Sequence, residues 1–316
     1  MTAQRIHRAP SPYNDVELFE IDYVQSNDVL YLAHWDHAPG KLSRYGHTDW
    51  TFTTVTFGPS ISAPTGLVAT PASPNVTGGL HVEDATYIVT ATDLVTGQES
   101  RGSATVSASN DLSLKSNTNT ITWSAVTGAE YYTIYKSDSG ALALHGYIGS
   151  TTGLSFIDNN INGDETDTPP QGKNPMDVAG NWPSTVALYD SRLVWGRTRN
   201  KPNVIYASQT ASYENMDVSR PQRPDDAFTG GLVAERVNAV NQLIPMTDLL
   251  ALCSDGLFKI FPGDTGGLAS RRQAGDGSSR LDPIALGEVV LYRPNVGSSI
   301  QTLGFSFDID GYRSND

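Results

Sequence analysis

Ser191–Ser208 reads SRLVWGRTRNKPNVIYAS: an apolar run at Leu193, Val194 and Trp195, a polar turn closed by Lys201 and Pro202, and a second apolar run at Val204, Ile205 and Tyr206. That order is the pattern of a β-hairpin. Val29–Ser43, VLYLAHWDHAPGKLS, lies over it without a gap, placing Leu30 on Leu193, Leu32 on Trp195, Pro39 on Pro202 and Leu42 on Ile205. At the same offset Trp50 falls on Tyr213. Leu249–Phe261 (LLALCSDGLFKIF) and Val289–Leu303 (VVLYRPNVGSSIQTL) carry the same outline more loosely. The chain reads as an all-β repeat array in which the Ser191 hairpin supplies one blade's inner strands, Pro39 and Pro202 set the turns, and Trp195 belongs to the core.

The 29 Gly and 18 Pro, with frequent Ser, Thr and Asn, suit short strands joined by tight turns. Thirty-four acidic against 21 basic residues give a net charge of -13, which argues against a groove that grips nucleic acid through its phosphates. The lone Cys253 lies in an apolar strand-like run and excludes an internal disulfide, so it reads as a buried structural thiol. No apolar stretch approaches the roughly 20 residues of a membrane span, and no hydrophobic region follows the basic N-terminus MTAQRIHRAPSP. The reading is a protein made in the cytoplasm without export and not inserted in a membrane.

At Gly58 and Pro59 the character changes. APTGLVATP, ATYIVTATD, TNTITWSAVTGAEYYTIYKS and GYIGSTTGLSFIDNN run as strands spaced by Gly, Asn and Ser turns over roughly a hundred residues, the size of a β-sandwich. Pro64, Trp123, the cluster Tyr131, Tyr132 and Tyr135, and the closing SFIDNN resemble a fibronectin type III domain, in which the Trp is core and the domain has no chemistry of its own. With residues 60–175 set aside, the hairpin starts at Val29, Arg192, Leu249 and Val289 recur roughly every 40 to 57 residues, of the order of one four-stranded propeller blade. The expected organisation is therefore a partial propeller-like array at 1–59 and 176–316, interrupted at 60–175 by an immunoglobulin/fibronectin III-like sandwich and its exit linker. Val16–Ile21 is expected as a strand or short helical turn, and Gly263–Arg280 as an exposed or partner-ordered loop.

Outside the sandwich, VQSNDVLYLAHWDHAPGKLSRYGHTDWTFTTVTFGP, WPSTVALYDSRLVWGRTRNKPNVIYAS, SYENM, VNAVNQLIPMTDLLALCSDGLFKI and IQTLGFSFDIDGYRSND together resemble, in order, the nozzle or tail tubular proteins of short-tailed bacteriophages and prophages. The resemblance implies a virion protein of the phage tail, made in the host bacterial cytoplasm. It implies assembly with copies of itself as a ring below the portal and adaptor proteins, and a conduit through which DNA passes during genome ejection without specific binding. Against the usual length of that family, the resemblance implies a truncated prophage copy or one piece of a split gene. An acidic wall would keep a polyanion sliding, although 11 acidic and 4 basic residues fall in 60–175, so over half of the net charge belongs to the sandwich.

No residue is nominated as catalytic, cofactor-binding or metal-binding. His34, Asp36, His37 and His47 read as turn histidines and their neighbour, with no Cys pair to complete a zinc site. Asp158, Asn160, Asn162 and Gly163 reproduce the opening of a calcium loop, but its twelfth position is Pro169, so a turn is preferred. Asp308, Asp310 and Gly311 form a similar fragment. There is no G-x-S-x-G, Gly263–Gly267 lacks the G-K-[ST] of a phosphate loop, and Asp225 and Asp226 read as solvated loop carboxylates. Trp35, Trp50, Trp182 and Trp195 read as packing between blades, with stacking on glycans as the competing role. Arg271 and Arg272 read as loop-solubilising or as contacts to an acidic partner. The rival function is a secreted carbohydrate-binding or glycan-hydrolysing propeller, for which the nearest sialidase-like turn, Ser43–Trp50, has Tyr45 where Asp belongs.

Overall fold

The computed structural model describes residues 7–75, 81–138, 144–233, 238–262 and 268–315. They are all-β, in two compact units: residues 1–57, 174–216 and 227–316 form one, and residues 58–173 with 217–226 form the other.

Among the described residues the first unit holds four four-stranded antiparallel sheets, each with its strands paired in chain order. Blade 1 is β1 (Asp22–Ser26), β2 (Val29–His34), β3 (His37–Gly46) and β4 (Asp49–Thr54). It is preceded by a short 3-10 turn at Glu17–Glu20, within the segment where a strand or helical turn was expected.

The second unit begins with β5 (Val68–Ala72), β6 (Glu83–Asp93), β7 (Val106–Asn110), β8 (Thr118–Thr122), β9 (Ala129–Ser137), β10 (Gly146–Thr151) and β11 (Ser155–Asp158). One sheet has the order β11-β8-β5 and the other β10-β9-β6-β7. Alternate residues of β6 (Tyr87, Val89, Ala91) meet Ile121, Trp123, Tyr132 and Ile134 in the core. Trp123 and Tyr132 lie with ring centroids 5.4 Å apart. Tyr135 is buried as well, whereas Tyr131 is exposed.

Taken in chain order, β5, β6, β7, β8, β9 and β10 occupy the B, C, C′, E, F and G positions of an immunoglobulin-type sandwich: β7-β6-β9-β10 is the C′-C-F-G sheet, β5 pairs with β8 as B with E, and β11 flanks E.

β12 (Thr168–Gln171) precedes the second blade, whose strands are β13 (Thr185–Tyr189), β14 (Arg192–Gly196), β15 (Val204–Ala207) and, after β16 (Val218–Arg220), β17 (Phe228–Gly231). β16 leaves the blade to pair with β12. Residues 217–226 therefore return to the sandwich unit, where Asp217 receives both Nε and an Nη of Arg101 at 2.8 Å. This corrects the assignment of everything after residue 175 to the blades. Asp226 is also part of this return loop; it accepts from the Ser219 amide and hydroxyl and from the Arg223 amide, so it is structural and not solvated.

Blade 3 is β18 (Val240–Pro245), β19 (Leu249–Cys253), β20 (Gly256–Pro262) and β21 (Leu268–Ala274); blade 4 is β22 (Ile284–Leu286), β23 (Val289–Tyr292), β24 (Gln301–Ser306) and β25 (Gly311–Asn315). The Ser191 hairpin, β14–β15, thus forms the inner pair of its four-stranded sheet. The overlay with Val29–Ser43 holds for the first strand but not for the pairing. Leu32 pairs with Gly40, whereas Trp195 pairs with Tyr206, beyond Asn203, the position equivalent to Gly40. Pro39 lies inside β3 and Pro202 in a turn, so only Pro202 sets one. Their carbonyls do the same work, accepting from Val55 N at 2.8 Å and Val240 N at 2.9 Å. β21 also removes Leu268–Ala274 from the expected loop, while Gly263–Gly267 lies outside the described residues.

Blade 3 explains why LLALC is continuously apolar. Leu249, Ala251 and Cys253 join Val194, Ile205 and Ala207 of blade 2. Leu250 and Leu252 point the other way, to Val290, Tyr292, Leu303 and Tyr312 of blade 4. Blade 4 lacks a second cover: Ile284 and Leu286, paired with Leu291 and Val289, are each 58% exposed.

In the sandwich, Lys136 (2% exposed) places Nζ 3.1 Å from Asp158 (0% exposed) and 3.1 Å from Asp138. Asp158 also accepts from the Tyr87 hydroxyl at 2.7 Å and the Ile161 amide at 2.8 Å. Removing one partner of such a buried pair costs about 3–5 kcal/mol because the other charge stays desolvated. Asp158→Ala is expected to cut hydrogen-exchange protection across β6 and β9 by that amount, and unchanged protection would contradict the pairing.

Candidate functional site

The first strands of the blades bring polar side chains to one place. Asp22 of β1 accepts from the Thr185 hydroxyl of β13 at 2.6 Å and from the Val186 amide at 3.0 Å. Thr185 Oγ1 lies 3.3 Å from Gln242 Oε1 of β18, and Gln242 Nε2 donates to Asp282, just before β22, at 2.7 Å. One side chain from each blade therefore joins a single polar chain. Alternation explains the placement: Val186 faces away from Thr185, and Gln242 follows a bulge between Val240 and itself that re-aims the strand.

Above this chain opens a cleft of about 450 Å³ lined by Phe19, Glu20, Asp22, Trp35, Arg197, Asn241, Gln242, Arg280, Asp282 and Arg293, among others. An adjoining hollow of about 340 Å³ shares Trp35, Arg197 and Arg280 and adds Arg199 and Pro202. Arg197 follows β14 directly and holds φ at 55°, a conformation costly outside glycine. It persists because Arg197 O accepts from Ser184 N at 2.9 Å while Arg197 N donates to Val204 O at 3.3 Å. The guanidinium donates to the Asn241 amide oxygen. Burial, and then the charge of Arg280, push the Arg197 pKa down to about 10. Arg199 is committed elsewhere: it covers the Trp35 ring at 4.0 Å and reaches Asp36 at 3.6 Å.

The acids of the cleft have their own partners. Burial, assisted by Asp282, raises the Asp22 carboxyl to about 6 against the hydrogen bonds from Thr185 and Val186. Burial also raises Asp282, opposed by Gln242. Glu20 accepts from Trp35 Nε1 at 2.8 Å. On the far side of Trp35, the register pairs His34 with His37 and brings their rings 5.0 Å apart, with Glu17 at 3.0 Å from His37 and Glu20 at 3.6 Å from His34. These histidines do meet, as the sequence did not require. Desolvation and then His37 lower the His34 pKa. His47 instead lies beside Arg44, at 3.4 Å.

Among the described residues no group of three His, Cys, Asp or Glu side chains is arranged to hold a metal ion. In the calcium-like stretch, the Asp158 carboxylate is spent on Tyr87, Lys136 and Ile161, and Asn160 is exposed. Asp308 and Asp310 are exposed around a short 3-10 turn. Asp225 is exposed. Cys253 is buried, which pushes its thiol pKa up. Trp195 is fully buried and meets Phe57 edge-on at 6.4 Å, whereas Trp35, Trp50 and Trp182 are half-buried. Arg272 sits on β21 and donates to the carbonyls of Asp255 and Ala274.

The cleft arginines were absent from the sequence reading. Arg197 stands in an unremarkable G-R-T-R turn, and Arg280 and Arg293 are singlets far along the chain. Only the placement of GRTR at the same end of its blade as the entry to β22 could have pointed to them. Compared with known proteins, the chain matches no family model and no curated sequence.

The Asp22 shift has a direct consequence. A carboxyl whose folded pKa is raised binds its proton more tightly when folded, so stability falls as pH rises from about 4 to about 6 and the cost is complete above that. The charged neighbour is Asp282, with Glu20 also in the cleft wall. Asp22→Asn keeps an acceptor for Thr185 and Val186 and removes the charge. It is expected to flatten the pH dependence of stability in this window, by on the order of 2 kcal/mol. Denaturant melts at pH 4.5 and 7 check this; an unchanged pH slope would contradict it.

Proposed function

We propose that the protein is a non-enzymatic structural component of a short-tailed phage tail, a nozzle-type subunit whose work is to assemble and to line part of the conduit for genome ejection. The observation that carries the reading is the uncovered face of blade 4. Ile284 and Leu286 are each 58% exposed, and Val296, Ile300 and Phe307, in the connections of the same blade, are also exposed. A surface with this much apolar area in the open is one that an assembly covers. The all-β array with an inserted sandwich, and the order of the phrases that resemble the nozzle family, give the reading its identity.

Three side chains with reactive groups are spent on the fold. Asp158 and Asp226 hold together their own loops, and Cys253 is sealed between blades 2 and 3. The carbohydrate-binding alternative has less support: Trp195 is fully buried and the face of Trp35 is taken by Arg199. The partners in this proposal are further copies of the chain in a ring and the adaptor and portal-proximal proteins, with DNA passing without specific binding. A net charge of -13 disfavours retention of a polyanion.

Mass photometry and cryo-electron microscopy of the purified chain, alone and mixed with an adaptor ring, are expected to show ring-shaped oligomers. A strictly monomeric species under both conditions would overturn the proposal.

A further inference from the structure

An acidic protein has gathered arginines around one cleft without giving them carboxylates. Arg197, Arg280 and Arg293 all line it, and among the described residues none of the three forms a salt bridge, although nine ion pairs join other residues. The acids on the same walls are not within ion-pair distance of these guanidiniums: Asp22 accepts from Thr185 and Val186, Asp282 from Gln242, and Glu20 from Trp35 while lying near His34.

Arg197 is the most telling of the three. It is half-buried, its side-chain acceptor is the neutral amide of Asn241, and the charge of another cation, Arg280, acts on it. Taking a guanidinium partly out of water beside a like charge is costly unless an anion completes the site. The backbone adds to the commitment, since the left-handed conformation at Arg197 is itself strained, and such strain concentrates where a side chain must be aimed.

Size and shape narrow the ligand. A cleft of about 450 Å³ opening into a hollow of about 340 Å³ falls in the range of small-molecule sites. Planar guanidiniums bind two oxygens of a phosphate or carboxylate at once. The amide of Gln242 is committed to Asp282 and the Arg280 carbonyl, and Asn241 donates to Ser278 O, so the guanidiniums are the groups left to meet a ligand's oxygens. The carboxylates of Asp22 and Asp282 along one wall disfavour a long polyanion laid across the cleft.

We propose that this cleft is a binding site for a small multivalent oxyanion, a phosphate or polycarboxylate ligand, held by the guanidiniums of Arg197, Arg280 and Arg293. The site lies within the blade unit and stands independently of any role in a phage tail.

Isothermal titration calorimetry of the full chain with pyrophosphate and with citrate, at ionic strength matched by sodium chloride, tests it. Saturable one-site binding of at least one of them is expected, accompanied by a rise in Tm that chloride does not reproduce. Preference for pyrophosphate assigns the site to phosphate, and preference for citrate to carboxylate. Arg197→Met and, separately, Arg280→Gln are expected to weaken binding at least tenfold, with circular dichroism confirming the fold. Two substitutions keep the test open if one fails to fold. Arg271→Ala, on the outer strand of blade 3, is expected to leave affinity unchanged. No saturable binding at 10 mM ligand, on the order of the weakest affinity worth calling a site, would overturn the proposal. So would binding that survives both arginine substitutions, or tight binding of a short DNA duplex with none of the small anions.

Discussion

Asp22 and Thr185 are separated by more than half of the chain, yet their 2.6 Å hydrogen bond, with the Val186 amide at 3.0 Å, fastens blade 1 to blade 2. Everything between Gly58 and Lys173 is the inserted sandwich unit, so chain continuity gives blade 1 little help in finding its neighbour. The join must come from contacts. Lys41 Nζ reaches both oxygens of Glu214 at 2.8 Å, Tyr31 donates to the same carboxylate at 3.2 Å, and Phe57 meets Trp195 edge-on. Closing so long a loop costs only logarithmically more entropy than closing a short one, which a handful of partly buried contacts can offset.

The same constraint, that each face of a blade must be covered, orders the rest of the unit. Blade 3 is covered on both faces and has the most continuous apolar strand. Blade 1 turns one face to blade 2, while Tyr13 from the preceding segment packs edge-on against Phe52, His34 and His37. Burial, and then the charge of Glu17, raise the Tyr13 phenol to about 12. Blade 4 keeps an apolar face in the open. Polar groups along the first strands then meet where four sheets converge, and the cleft arises there because no single blade can fill it.

Much of the architecture was legible in the residues because strands write their burial with a period of two. The Ser191 hairpin, its sibling at Val29, the paired-face strand LLALC and the Trp123 core of the sandwich are all local patterns. Features set by distant contacts were not legible. The difference in pairing register between the two sibling hairpins depends on the longer turn before Val204. The return of residues 217–226 to β12 depends on Asp217 finding Arg101. β21 reads as loop because LASRRQA is a polar outer strand in which no residue is buried. The cleft arginines come from separate turns and are brought together only by blade packing, so spacing along the chain holds no trace of them.

Native-state hydrogen exchange across the unit tests most directly whether blade 1 belongs to one cooperative stack despite the insertion. The clamp predicts that amides of β1 and β2 share an opening free energy with those of β13 and β14, and that Thr185→Val lowers protection in both blades together. Contradiction would be a blade 1 that exchanges at its own rate, with protection between Asp22 and Thr54 unmoved by Thr185→Val.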